Sequence, residues 1–450
     1  MKDSIDFGSM EIPKLFRKLL IPTVLGMVFS AVFVITDGIF VGRGIGSDAL
    51  AAVNITAPLF LISTGVGLMF GVGASVVASI HLAQGKVKAA RINVTQAVAV
   101  SSLLLAAYSF LITSCAREVA LLLGSSERLL PLAVEYMHWF APFLPFSALL
   151  SSGMFFIRLD GSPNYAMLCN AVPAVINIVL DYVFIFILGW GMTGAALATS
   201  LGYVVGAAMI LAYLSRRRNV IRFCRVKTSR KSLRLTRRNV GYMCRLGLST
   251  FLCEGAIAMM MFAGNYVFIR YLGEDGVAAF SIACYFFPII FMVYNAIGQS
   301  AQPILSYNFG AGNGARVRKA FRLALLTAVA AGLGFFGLTA LFSRWIVAMF
   351  IDSSCPACAI AVRGLPLFAS GFVFFAVNIV SIGYFQSVEQ ARAAMTVTLL
   401  RGFLFLVVCF LALPPLFGVA GIWLAVPLAE ALTFAVVAAI YGRTRLKSAF

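Results

Sequence analysis

Four carboxylates stand inside stretches that are otherwise apolar: Asp37, Asp181, Glu254 and Glu430. A charge at the centre of a bilayer costs about 2.5–3.5 kcal/mol on insertion scales, so each acid must face protein or water rather than lipid. Asp181 is the most isolated, the one formal charge between Gly161 and Ser215. Asn177 lies one helical turn before it and Asn170 two turns before that, which puts all three on one helix face. Pro173 falls in the same stripe and frees the carbonyl of Cys169, inviting a bend or a bound water. Asp37 has its own stripe, with Ser30 and Thr23 at seven-residue steps. Counted from the outer ends of their helices, Asp37 and Asp181 differ in depth by only about 5 Å. Two acids at one depth beside Asn177 form a site for a proton or a monovalent cation. The competing reading is that each acid only bonds a neighbouring backbone group.

A second set lies further along: Glu254, Glu430 and one embedded base, Arg401. In a low-dielectric interior Arg401 should pair with at least one of the two acids. Against mutual neutralisation stands a functional alternative, in which Glu254 or its neighbours in this set meet a cation or the substrate.

These residues need helices that cross a membrane to hold them. Of 450 residues, 61% are hydrophobic and 11% charged, a balance that soluble domains do not carry. Apolar runs of spanning length occur twelve times, from Phe16–Val41 to Val419–Tyr441, each with room for the roughly 20 residues a bilayer demands. The fold class is therefore an all-α, multi-pass membrane protein. The first run is too long for the core of a secretory signal, so none is expected. With the N-terminus inside, cytoplasmic segments carry 27 Lys and Arg against 6 outside, which predicts both termini in the cytoplasm. The same bias accounts for the net charge of +19 without nucleic acid as a partner. Eleven of the basic residues fall between Arg216 and Arg238, a solvated connection in which contact with anionic lipid is a secondary reading.

Enzyme chemistry finds no support. The two histidines, His81 and His138, are far apart, and no nucleophile–base spacing, zinc spacing or Walker lysine is present. No metal and no cofactor are expected, and the energy for work must come from an ion gradient. Most of the nine cysteines are small hydrophobes in helices. Cys355 and Cys358 form a CxxC in an external loop, read as a chance pair or a local disulfide.

The chain repeats itself. A shift of 227 residues lays Gly42–Ile55 on Ile269–Ile282 with six identities in fourteen, and the same shift pairs Gly85 with Gly312 and Gly194 with Gly421. Six helices per copy is an even number, so both copies enter the membrane in one direction, a parallel repeat. The expected organisation is an N-lobe (1–215, helices 1–6), a basic cytoplasmic linker (216–240) and a C-lobe (241–450, helices 7–12). The acids are not duplicated: the partners of Asp37 and Asp181 are Gly264 and Val408.

Several stretches together resemble the multidrug and toxic compound extrusion (MATE) family over essentially the whole chain. They are TDGIFVGRGIGSDALAAVNI, NIVLDYVFIFILGWGMTGAALAT, GQSAQPILSYNFGAGNGARVRKA and the pair LLRGFLFLV and FGVAGIWLAVPLAEALT. The resemblance implies an antiporter that exports amphipathic, mostly cationic compounds against inward H⁺ or Na⁺ by alternating access of two lobes. It also implies a monomer in the plasma (inner) membrane. By motif match it puts Asp37, Asn177 and Asp181 on the N-lobe cation site of the family's DinF-like branch. It puts Glu254 on a helix 7 acid of the NorM-like branch, whose helix 10 acid has no counterpart in Ala359–Phe385. The alternative function is a lipid-linked saccharide flippase of the wider superfamily, which needs embedded bases for pyrophosphate.

Overall fold

A computed structural model describes residues 5–226, 229–351 and 356–447. Among the described residues, nine helices are long and apolar enough to cross a membrane, and a further span is a pair bent by 46°, Pro356–Ala369 with Phe372–Ser387. Three of the nine contain a backbone break; those at Gly273 and Gly418 divide two helices of spanning length, and that at Phe342 leaves only a short end. Among the described residues the spans therefore number twelve. In chain order they are α1 (Ile12–Gly44), α2 (Ser47–Ala83), α3 (Val87–Ser114), α4 (Leu130–Leu159), α5 (Pro163–Ile187) and α6 (Gly191–Ser215). The second set is α7 (230–272), α8 (274–310), α9 (Gly314–Ala348), α10 (the bent pair), α11 (391–417) and α12 (419–447). Among the described residues there is no strand.

The repeat is written into the turns. Left-handed backbone occurs at Gly46 and Gly273, at Gly85 and Gly312, and at Gly191 and Gly418, each pair 227 residues apart. These glycines lie where the chain passes from the first helix to the second, from the second to the third and from the fifth to the sixth in both halves. Only glycine takes a positive φ there without a steric penalty, so the chain turns at equivalent places in each copy.

By contact the chain forms two compact units, Met1–Phe251 with Ser306–Asn313, and Leu252–Leu305 with Gly314–Phe450. The polar connection 216–240 is not all loop, since α7 already begins at Arg230, where Ser229 caps it by accepting a hydrogen bond from the Ser232 N–H. Cys355, one half of the CxxC, lies outside the described residues.

Within the first unit, α2 and the start of α7 touch backbone to backbone. A methyl group on Gly247 would sit 1.9 Å from the Met69 carbonyl oxygen, and one on Gly73 would sit 2.0 Å from that of Met243. Small residues permit this approach, and lipid offers no hydrophobic drive to replace it. Gly247→Val should therefore destabilise by at least about 3 kcal/mol, the upper end for overpacking. The check is the thermal melt in detergent, in which Gly334→Val, a site with open space around it, should stay near the parent.

Candidate functional site

The polar site of the first unit is assembled by α1, α4, α5 and α6. Two glycines on α1 bring it against α5. A Cβ on Gly26 would meet the Asn170 amide at 3.1 Å, and one on Gly44 would meet Ile185 at 2.3 Å. Asp37 lies between these two contacts along α1. Its carboxyl lies near the Asp181 carboxyl on α5. Thr199 of α6 donates to Asp37 Oδ1 at 3.2 Å. Asn177 adjoins the Asp181 carboxyl. Asn177 and Asp181 are completely buried, Asp37 half-buried.

The hydrogen bonding around these groups is incomplete. Neither oxygen of Asp181 receives a well-directed bond from a protein donor, and the amide nitrogen and oxygen of Asn177 are also unpartnered. Leaving a buried acceptor or donor unsatisfied costs about 1–3 kcal/mol, more for a charged group. Two carboxyls in contact hydrogen-bond only if one of them carries a proton. The cluster is thus suited to take up a proton or a small hard cation, with oxygen atoms from two acids, an amide and a hydroxyl.

Two features set its shape. Immediately after Asp181 the helix widens into a π-helical turn, Tyr182–Ile187, an irregularity that often marks working positions in helices. Glu135 of α4 accepts from both Thr193 N (3.1 Å) and Thr193 Oγ1 (2.7 Å), satisfying the first turn of α6 and holding the helix that carries Thr199. Around the acids stands an aromatic wall. Tyr203 stacks on Phe60 at 5.5 Å and meets Phe33 edge-on at 5.9 Å, and Tyr136 stacks on Phe140 at 5.3 Å. The sequence reading named Asp37, Asn177 and Asp181 and missed Thr199, Tyr136 and Tyr203. Thr199 is one of two adjacent hydroxyls, with Ser200, after an alanine-rich run, which was a weak signal; nothing in the sequence separated the two tyrosines from the other twelve.

The second unit holds a different cluster. Arg401 Nε donates to Glu430 Oε1 at 2.7 Å, and Asn378 Nδ2 donates to Glu430 Oε2 at 2.8 Å and to the Glu430 carbonyl at 2.9 Å. The Arg401 guanidinium lies 4.4 Å above the Phe375 ring, whose other neighbours include Tyr294 at 5.2 Å. All of these side chains are buried. Arg401 also stands on a π-helical turn, Leu400–Leu404. Glu254 is half-buried, and among the described residues no ion pair joins it to Arg401. Its neighbour Cys253 is the one that reaches this cluster, with Sγ 3.8 Å from Thr398 Oγ1. Arg158 is a buried residue of the last turn of α4, its guanidinium 4.7 Å from the Phe155 ring.

One comparison decides the family. The family model MatE matches residues 22–183 and 252–411, one block in each half of the chain. The chain belongs to the MatE family. It is accordingly a membrane transporter and not an enzyme. This MatE chain is 25% identical over 335 residues to an FAD transporter of Shewanella oneidensis, covering 72% of the chain and 71% of that protein. It is 22% identical over 435 residues to the multidrug export protein MepA of Staphylococcus aureus, covering 95% and 92%. Its fold matches the crystal structure of the Vibrio cholerae MATE transporter VcmN with a TM-score of 0.87 over 97% of both chains, at 18% identity. That likeness concerns the fold alone.

Proposed function

We propose that this MatE transporter exports amphipathic, mostly cationic compounds in exchange for protons that enter through Asp37 and Asp181. The observation that supports the reading is that these two carboxyls lie close to one another, Asp181 fully buried beside Asn177 and Asp37 half-buried. In this scheme the pair loads a proton from outside and releases it inside, and its charge state biases the N-lobe between holding and releasing substrate. One proton moving through about 100 mV supplies roughly 2.3 kcal/mol. At about 1.4 kcal/mol per decade, that sustains roughly a forty-fold gradient of a neutral substrate.

The two lobes, 1–215 and 241–450, would alternate access around the basic connection, in a monomer with both termini in the cytoplasm of a cell with a plasma (inner) membrane. Sodium is the alternative coupling ion, since the same oxygens suit a hard cation. Glu254 is then the candidate contact for a cation or substrate in the C-lobe. Arg401, a base buried within α11, is already held by Glu430. This supports a preference for cations over pyrophosphate-linked saccharides.

A second reading follows from the relative named an FAD transporter: an anionic flavin nucleotide as cargo. Competition separates the two. Purified protein should bind a fluorescent lipophilic cation and lose it to other lipophilic cations of similar size. If flavin nucleotides or simple organic anions displace the dye as well as cations do, the cation reading fails.

A further inference from the structure

We infer that the exposed face at the start of α7 binds the anionic phosphodiester headgroups of membrane phospholipids. From Arg230 to the break at Gly273, α7 is about 64 Å long at 1.5 Å per residue, twice the roughly 30 Å of a hydrocarbon core. Its first turns must therefore pass through the headgroup layer or beyond it.

Those turns have two different sides. On one, Gln96 of α3 donates from Nε2 to Thr236 Oγ1 at 2.8 Å and accepts from Asn239 at 3.4 Å, so the segment is docked against the helix bundle. The other side exposes Arg230, Lys231, Arg234, Arg237 and Arg238. Steps of three and four residues bring these cations together on the helix surface. Among the described residues none of them forms an ion pair, and residues 216–238 contain no acid at all. Among the described residues this concentrated positive charge thus has no acidic partner.

Charge alone fits any polyanion. The same turns also expose Leu233 (58%) and Leu235 (43%). Bulky apolar side chains interleaved with arginine match a headgroup–acyl boundary, where guanidinium meets phosphate and leucine meets the upper acyl chain. The segment before α7 is fixed against the bundle as well. Ile221 N donates to Asp160 Oδ1 at 2.6 Å, and Arg91 Nε donates to the Val220 carbonyl at 2.8 Å. The cations are therefore presented by an anchored scaffold rather than by a free tail. The proposed topology assigns this face to the inner leaflet; binding itself does not depend on that assignment.

The test uses full-length protein in neutral detergent, titrated with phosphatidylglycerol or with phosphatidylcholine, and reads bound lipid by native mass spectrometry and stability by thermal melt. Phosphatidylglycerol should be retained and should raise the melting temperature, while phosphatidylcholine should do neither. The variant Arg234→Gln/Arg237→Gln/Arg238→Gln should bind phosphatidylglycerol about a hundredfold more weakly, at roughly a fivefold loss per basic residue. Should that variant fail to fold, the parent carries the test: about 0.5 M NaCl should remove its response to phosphatidylglycerol by screening. Equal response to the two lipids overturns the proposal, as does full retention of phosphatidylglycerol in the variant. So does saturation of the face by a short oligonucleotide or an acidic peptide that phosphatidylglycerol cannot displace.

Discussion

Asp181→Asn should abolish proton-driven export while leaving the protein folded. In proteoliposomes with an imposed pH gradient and no sodium, accumulation of a fluorescent monovalent cation should fall from about tenfold per pH unit, the limit for one-for-one exchange, to no gradient at all. Asparagine keeps the size of the carboxyl and its capacity to hydrogen-bond, but it cannot take up or release the proton. Packing around α5 is undisturbed by this change, so the thermal melt should stay close to the parent. Asp37→Asn should behave alike, because the proton belongs to the pair rather than to either residue. Thr199→Val should give a smaller defect, since it removes one neutral donor at 3.2 Å and leaves both carboxyls in place. If instead a sodium gradient drives export and a pH gradient does not, the proton assignment fails and Glu254 becomes the better candidate.

The second large effect is expected in the other unit and has the opposite character. Arg401→Met should lower stability by about 3–5 kcal/mol, because it strands the Glu430 carboxylate in a buried site. Glu430→Leu should cost a similar amount by stranding the guanidinium. At about 2–4 °C per kcal/mol for a unit of this size, each single change should lower the melting temperature by roughly 10 °C. The double variant Arg401→Met/Glu430→Leu should recover most of that loss, because an apolar pair needs no partner. Thermal melts of the four proteins give the coupling directly. If both single variants melt like the parent, the pair does not hold this unit together. The double variant, reconstituted under a pH gradient, also separates structure from coupling. Retained export means that the pair is structural, and lost export in a stable protein assigns it to the transport cycle.

Much of this architecture is legible without coordinates, because the forces responsible act along one dimension. A bilayer prices every residue by depth, so apolar runs of spanning length and the isolated Asp37 and Asp181 stand out in the chain itself. The repeat is equally local: a glycine that must adopt a positive φ at Gly85 is needed again at Gly312, and the sequence carries both. Helical period alone put Asn177 and Asp181 on one face, and depth counting brought Asp37 level with them.

Lateral neighbours are another matter. Twelve helices of similar length and composition can be arranged around one another in many ways, and no period within a helix says which face meets which. Gly26 and Gly44 help to settle it for α1 and α5, since a side chain at either would collide with Asn170 or Ile185 of α5. Packing of the same kind chose Glu430 over Glu254 as the partner of Arg401, through the position of Asn378 on α10. It brought Thr199, Tyr136 and Tyr203 to the aspartates from two other helices. It also fixed the start of α7 at Arg230, where docking of Thr236 and Asn239 onto Gln96 makes helix of a segment whose charge reads as loop. Composition and depth determined which residues had to be hidden from lipid. Which of them meet was decided by the few places where small side chains let two helices come close.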